Sequence, residues 1–232
     1  MKTTSRDTIK KAFTATIPVM TGYLVLAIGF GILLKTKGYG VGWAIAMSGF
    51  IYAGSMQYLA IDLLCGGASL LTTAVTTLMV NARHLFYGIS MVDRYQNIGK
   101  KKPYLIFALT DETYSLVCGE ESVKGIKEPK EYYFSVSLFN QTYWVTGSII
   151  GSLLGNIIPF NVDGIDFALT ALFVTIFVEQ WLTTKEHRPA LIGVIASMLC
   201  LIIFGADSFL IPTMIIIVSL LIAQKSKLEK EM

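Results

Sequence analysis

AFTATIPVMTGYLVLAIGFGILL, residues 12–34, contains no charged side chain. As a helix rising about 1.5 Å per residue, it is long enough to cross a hydrocarbon core about 30 Å thick. The residues before it, with Lys2, Arg6, Lys10 and Lys11, resemble the basic region of a signal peptide. The apolar run is longer than the roughly 7–15 residues of a signal core, and no convincing small-residue cleavage site follows it. It is read as an uncleaved first span.

The rest of the chain repeats this pattern. Further apolar segments run over 41–64, 68–91, 103–118, 132–158, 165–182, 190–205 and 209–223, and most charges fall in islands at 1–11, 93–102, 120–131, 185–188 and 225–231. The whole is 53% hydrophobic and 15% charged, with a mean hydropathy of +0.60. A soluble domain carries about 25% charged residues. The expected fold class is therefore all-α: a polytopic transmembrane helix bundle of about seven or eight apolar segments, forming one membrane domain over 1–232. The net charge of +3 lies in loops and termini. It reads as an orientation signal and lipid-headgroup contact, which argues against a nucleic-acid footprint. Cys65, Cys118 and Cys200 are far apart in apolar surroundings, without zinc-ligand spacing or a disulfide framework.

Counting Lys and Arg exposes a conflict. The N-terminus, the 94–102 loop, the 185–188 loop and the C-terminus should all prefer the cytoplasm. Eight full spans satisfy the termini and 185–188 but put 94–102 outside. The segment at 103–118 is short and holds Asp111 and Glu112, and Gly66-Gly67 interrupts the turn before the third segment. One segment between about 41 and 118 is expected to be broken or re-entrant, packed in protein or lining a cavity.

Two further patterns concern helix packing. Phe50-x6-Gln57-Tyr58-Leu59 echoes Phe173-x6-Gln180-Trp181-Leu182, which reads either as chance apolar similarity or as an internal repeat. Gly147, Gly151 and Gly155 recur every fourth residue, which permits close approach to another helix of this chain or of a partner.

Ionisable groups in a bilayer cost about 2.5–3.5 kcal/mol on insertion scales and are usually paired or functional. Thr73, Thr77, Asn81, His84 and Gly88 form a polar and small stripe at helical spacing, with Arg83 and Tyr87 together on an adjoining face. Arg83 and His84 read either as site residues or as snorkelling interfacial groups. Asp111, Tyr114, Ser115 and Cys118 share another face, while Glu112 points elsewhere. The two acids need a cation such as Arg83, or else stand as ordinary solvated groups at a helix end. Gln57, beside Ser48 and Ser55, reads as a ligand contact or as a bridge between helices. Glu179-Gln180-Trp181 reads as an interfacial anchor. No HExxH, nucleotide loop or GxSxG motif is present, so neither enzymatic activity nor a cofactor or metal is expected.

Three motifs together resemble the AzlC family of branched-chain amino acid permeases. They are Met47-Ser48 leading to Ala53-Gly54-Ser55-Met56-Gln57-Tyr58, then Asn81-Ala82-Arg83-His84-Leu85-Phe86-Tyr87-Gly88, then Thr110-Asp111-Glu112-Thr113-Tyr114. The stretch from Gly29-Phe30-Gly31 is similar to the family's first helix and turn. One departure is Tyr58, where Phe is more usual. The resemblance implies export of branched-chain and similar apolar amino acids from a bacterial cell, resistance to toxic leucine analogues, and a small AzlD-type membrane partner.

A zwitterion with an apolar side chain needs an anion, a cation or helix N-terminus, and an apolar pocket. On that basis Asp111 or Glu112 would take the ammonium and Arg83 the carboxylate. Gln57, Asn81, Tyr87 and Tyr114 complete the candidate substrate site. His84 or Glu112 would carry a coupling proton. The alternative is a membrane scaffold or assembly subunit whose polar residues only hold helices together. An ion channel would need a ring of charge from an oligomer.

Overall fold

The computed structural model of the chain describes residues 2–119, 123–157, 186–205 and 209–231, and also positions 167, 170, 171, 174, 177, 178, 181 and 182. Helix is the regular structure of the described residues, in two compact units, Met1–Leu169 and Thr170–Met232. The first unit holds α1 (Lys2–Thr36), α2 (Val41–Phe50), α3 (Gly54–Cys65), α4 (Leu70–Val80), α5 (Arg83–Met91), α6 (Lys102–Phe107), α7 (Asp111–Val117) and α8 (Pro129–Ile157).

Its frame is the pair α1 and α8. Phe13 meets Phe139, Thr16 meets Tyr143, Tyr23 meets Trp144, and Gly155 lies against Lys35. Contacts that advance together along both sequences mean that the two helices run parallel. Their seam is the glycine series. A Cβ at Gly151 would overlap the backbone of Ile28, and one at Gly147 would lie 2.7 Å from the Cβ of Ala27. Gly31 of α1 answers with the same fit against the backbone of Ser148 and Ser152. The partner helix of the glycine face is thus within the chain, and backbones meet where side chains would hold them apart.

Parallel neighbours require the chain between them to return to its starting end, and it does so through two helical hairpins and one interrupted descent. α2 comes back along α8, with Ser48 against Ser148 and Gly49 against Gln141. After a tip at 51–53, α3 turns back, with Gly54 against the Trp144 ring and Tyr58 reaching Leu26 and Phe30 of α1. α4 and α5 then lead to the opposite end, where Met91, Tyr95 and Ile98 share a core with Ala12, Tyr132 and Tyr133. From that end α6 rises beside α8, with Tyr104 against Phe134 and Gln141. Past a tip at 108–110, α7 descends again until Arg94 reaches the carbonyls of Val117 and Gly119.

Each break has its own local geometry, and none contains a proline. At the first tip the amides of Ile51 and Tyr52 both donate to the Met47 carbonyl, and Tyr52 takes φ +44°. That conformation costs an L-residue roughly 1–2 kcal/mol. Between α4 and α5 the bonds Ala82 to Met79, His84 to Asn81 and Leu85 to Ala82 tighten one turn to three-residue spacing. At the second tip Thr110 is extended and caps α7, accepting from the Thr113 amide at 3.3 Å, with Asp111 and Glu112 in the first turn where helix dipoles favour acids. The sequence predicts one interrupted segment between 41 and 118. All three are interrupted, and the stripe from Thr73 to Gly88 is divided between α4 and α5.

The fold also bears on the charge conflict. Lys11 donates to the Gly125 carbonyl at 3.2 Å, and Lys101 reaches Glu131 at 2.5 Å. The start of α1, the loop before α6 and the loop before α8 therefore share one end of the unit. A cleft of about 710 Å³, lined by Asp7, Lys10, Lys11 and Lys127 among others, lies there.

The second unit contains α9 (Arg188–Phe204) and α10 (Leu210–Glu231), packed on each other, with Gly205 closing α9 at φ +74°. His187 stacks on Trp181 at 4.1 Å. Phe173, Glu179 and Gln180, which carry the sequence echo and part of the anchor reading, lie outside the described residues. Among the described residues only Arg6–Thr36 is both long and apolar enough to cross a membrane as a single helix. α2, α4 and α9 are shorter apolar helices.

Candidate functional site

Both hairpin tips and the α4–α5 turn meet midway along the α1–α8 pair, and two polar clusters form there. The first joins α2, α3 and α8. Trp144 Nε1 donates to Gln57 Oε1 at 2.9 Å, and Gln57 Nε2 donates to Ser48 Oγ at 3.2 Å. Ser48 Oγ donates to Ser148 Oγ at 2.8 Å, and Ser148 Oγ donates to the Trp144 carbonyl at 2.8 Å. Ser48, Gln57 and Ser148 are wholly buried. Both ends of the Gln57 amide are therefore occupied by protein.

The second cluster collects helix beginnings. Arg83 opens α5, Asp111 opens α7 and Ser55 is the second residue of α3. Arg83 forms an ion pair with Asp111 through Nη1, and its Nη2 donates to Ser55 Oγ at 3.0 Å. About a quarter of the Asp111 side chain is exposed, yet its Oδ1 is buried and makes no hydrogen bond. Glu112 turns the other way, as its position in α7 requires. Tyr23 of α1 donates to Glu112 Oε2 at 2.6 Å and lies 2.7 Å from Thr110 Oγ1. The chain of hydroxyls continues from Thr110 to Thr113 at 3.1 Å, where Asn140 Nδ2 also donates at 3.0 Å. Asn140 Oδ1 is buried without a hydrogen-bond partner.

Below the ion pair Tyr87 and Tyr114 stack at 4.7 Å, and Ser90 donates to the Tyr114 hydroxyl at 3.0 Å. Tyr87 stands near Arg83, Asp111 and Glu112. His84 packs edge-on against Tyr87 at 5.9 Å, and its Nδ1 lies 3.2 Å from the Asn81 carbonyl. Of the residues singled out by sequence, Arg83, Asp111, Tyr87 and Tyr114 form one group with His84 beside it. Glu112 sits on the α1 side, Gln57 in the closed cluster, and Asn81 offers its carbonyl at the α4–α5 turn.

Sequence reasoning missed Tyr23, Tyr52, Asn140, Trp144 and Ser148. The legible signal on α8 was Ser137, Asn140, Gln141, Trp144, Ser148 and Ser152, a polar face at helical spacing in an apolar helix. The arrangement holds a cation and an anion in mutual reach where three interrupted segments meet, beside a carboxyl bonded to hydroxyls. Such a place can exchange its internal ion pair for a ligand carrying both charges.

The family model described as AzlC protein matches residues 18–158, which include both clusters. The branched-chain amino acid transport protein AzlC of Bacillus subtilis (strain 168) is 43% identical over 221 residues, covering 95% of this chain and 87% of that protein. An uncharacterized membrane protein of Helicobacter pylori (strain ATCC 700392 / 26695) is 41% identical over 220 residues, covering 95% and 96%. The inner membrane protein YgaZ of Escherichia coli (strain K12) is 25% identical over 202 residues, covering 86% and 82%. No solved structure matches.

Proposed function

The chain is a membrane protein belonging to the AzlC family, and from that premise we propose that it is a secondary transporter exporting branched-chain and similar apolar amino acids together with a small AzlD-type membrane partner. The observation that carries this reading is the Arg83–Asp111 pair at the meeting point of the α3, α5 and α7 starts. The substrate carboxylate takes Arg83, aided by the positive ends of α3 and α5. The ammonium takes Asp111, whose Oδ1 lacks a donor. Tyr87 and Tyr114 line the approach, Asn81 supplies a carbonyl, and Gln57 shapes the site from behind through the α3 start.

In the bilayer the two hairpins enter from opposite faces and the polar tips meet away from lipid, as irregular backbone at that depth requires. The end bearing Lys11, Lys101 and Lys127 faces the cytoplasm, in keeping with the positive-inside rule. With the basic 185–188 loop and C-terminus also cytoplasmic, the chain is a multispanning one with both termini inside. A zwitterion carries no net charge, so the membrane potential acts on the cycle only through a coupled proton, worth about 2.3 kcal/mol per 100 mV. Glu112, bonded to Tyr23, is the first candidate carrier, and His84 is the second.

Everted vesicles holding the chain and its small partner are expected to accumulate labelled leucine, valine and methionine under an imposed proton gradient. Absence of transport under any gradient, with folded complex present, defeats the reading. The satisfied Gln57 cluster favours one rival, a scaffold in which polar groups only join helices. That rival predicts loss of the protein itself when Arg83 is replaced, whereas a transporter keeps its abundance and loses analogue resistance.

A further inference from the structure

One side chain links the tips of the two hairpins. Tyr52, at the α2–α3 tip, is 3% exposed, and its ring centroid lies 6.2 Å from that of Phe107 at the end of α6. Its hydroxyl is buried against those of Tyr23 and Thr110, the first of which bonds Glu112, with Tyr104 nearby. Its backbone, at φ +44°, is in the left-handed region that glycine takes freely and an aromatic residue does not. Among the described residues no other non-glycine has a positive φ. An unfavourable backbone and a buried hydroxyl set against the hydroxyls that serve Glu112 thus occur at the same residue. Strain of this kind persists only where the surroundings enforce it, and it collects at clamps and switches.

We propose that Tyr52 is a positioning residue that latches the α2–α3 tip to the α6–α7 tip, with its hold set by whether Glu112 carries a proton. The proposal rests on the reading of Glu112 as the coupling acid. When the Glu112 O–H proton leaves to water, the carboxylate draws the Tyr23 and Thr110 hydroxyls toward itself, and the Tyr52 hydroxyl, which sits against both, turns to donate into this group. Tyr52 keeps its own proton and forms a charge-assisted bond that fixes the left-handed backbone and joins the tips. When Glu112 regains a proton from water the bond weakens and φ relaxes toward the helical region. The start of α3 then moves, and Ser55 Oγ is withdrawn from Arg83 Nη2. The groups facing Glu112 are Tyr23 from α1, Tyr52 from the tip, and Thr110 and Asp111 from its own segment. Arg83 from α5 is engaged by Asp111.

The test compares the purified full chain with Y52F, E112Q and the double variant, reading thermal unfolding in detergent from acidic to mildly alkaline pH. Y52F is expected to lower Tm by several degrees at alkaline pH and little at acidic pH, and the pH dependence of that loss is expected to vanish in the E112Q background. A Y52F loss that is equal at every pH, or unaltered by E112Q, overturns the latch. If Y52F fails to accumulate, F50C next to the tip serves instead, in a chain with Cys65, Cys118 and Cys200 replaced by alanine. Its maleimide labelling, corrected for thiolate fraction, should change several-fold with pH and become pH-independent with E112Q. Constant labelling overturns the proposal. Valine counterflow separates the two readings: E112Q with native pH dependence sinks Glu112 as coupling acid. PH dependence lost in E112Q but native in Y52F sinks the latch alone.

Discussion

The Gln57 cluster and the Arg83 cluster sit side by side in one unit, yet they differ in how fully they are satisfied. Around Gln57 both amide ends have partners within the protein, as do the Trp144 ring N–H and the hydroxyls of Ser48 and Ser148. Around Arg83 an ion pair leaves one buried carboxylate oxygen of Asp111 without a donor, and Asn140 nearby keeps a bare carbonyl oxygen. A fully satisfied network fixes one packing. A partly satisfied one is costly unless something else completes it. The contrast separates glue from site more sharply than residue type does, because Gln57 and Arg83 looked equally suspicious as sequence.

That comparison can be broken at either cluster. The largest effect is expected from Arg83→Ala, which should cut valine transport at least about 100-fold, the loss of a charge-assisted contact worth some 3 kcal/mol, while membrane abundance holds. Immunoblotting beside vesicle transport checks both halves, and loss of abundance would move Arg83 into the structural class. Reversing the pair, Arg83→Asp with Asp111→Arg, should restore abundance if either single reversal harms it, but should leave transport absent, since the carboxylate and ammonium would then face like charges. Gln57→Leu should do the opposite of Arg83→Ala. It strands the Trp144 N–H and costs about 1–3 kcal/mol of stability, seen as a lower Tm, with transport per folded molecule within a few-fold of native. The smallest effect belongs to Tyr114→Phe, which keeps the stack on Tyr87 and removes only the bond from Ser90. A net loss near 1 kcal/mol should raise KM for valine about five-fold or less.

Much of this was readable from sequence, for identifiable reasons. Composition and charge segregation gave the helical class, and the i, i+4 glycines marked a face for close helix contact, since that contact demands small residues at that spacing; which helix it meets came from the structure alone. The capping pattern Thr110-x-x-Thr113 with two acids stands in the sequence but was not read there as a helix start, although it satisfies helix-end amides locally. The tips were harder. Residues 51–53 and 81–82 contain neither glycine nor proline, so their breaks come from tertiary packing that no local propensity reports. Tyr52 in a glycine conformation is the extreme case. Trp144 and Ser148 were missed because a polar face toward a protein interior looks, in one dimension, like scatter in an apolar helix. The fold places the 94–102 loop at the end of the unit that also holds the start of α1, a neighbourhood that the charge count alone did not give.

That parallel course has a consequence for how the protein is made. During synthesis α2 and α3, at 10 and 12 residues, are each too short to be recognised as a span, and the surface they fold against is completed only when α8 emerges from the ribosome. The first hairpin must therefore wait, half-formed, at the edge of the membrane while roughly ninety further residues are translated. Assembly of the candidate site is in this sense the last act of folding, and a chain stopped short of α8 would carry Ser55, Arg83 and Asp111 and still lack the Asn140 and Trp144 that complete the two clusters.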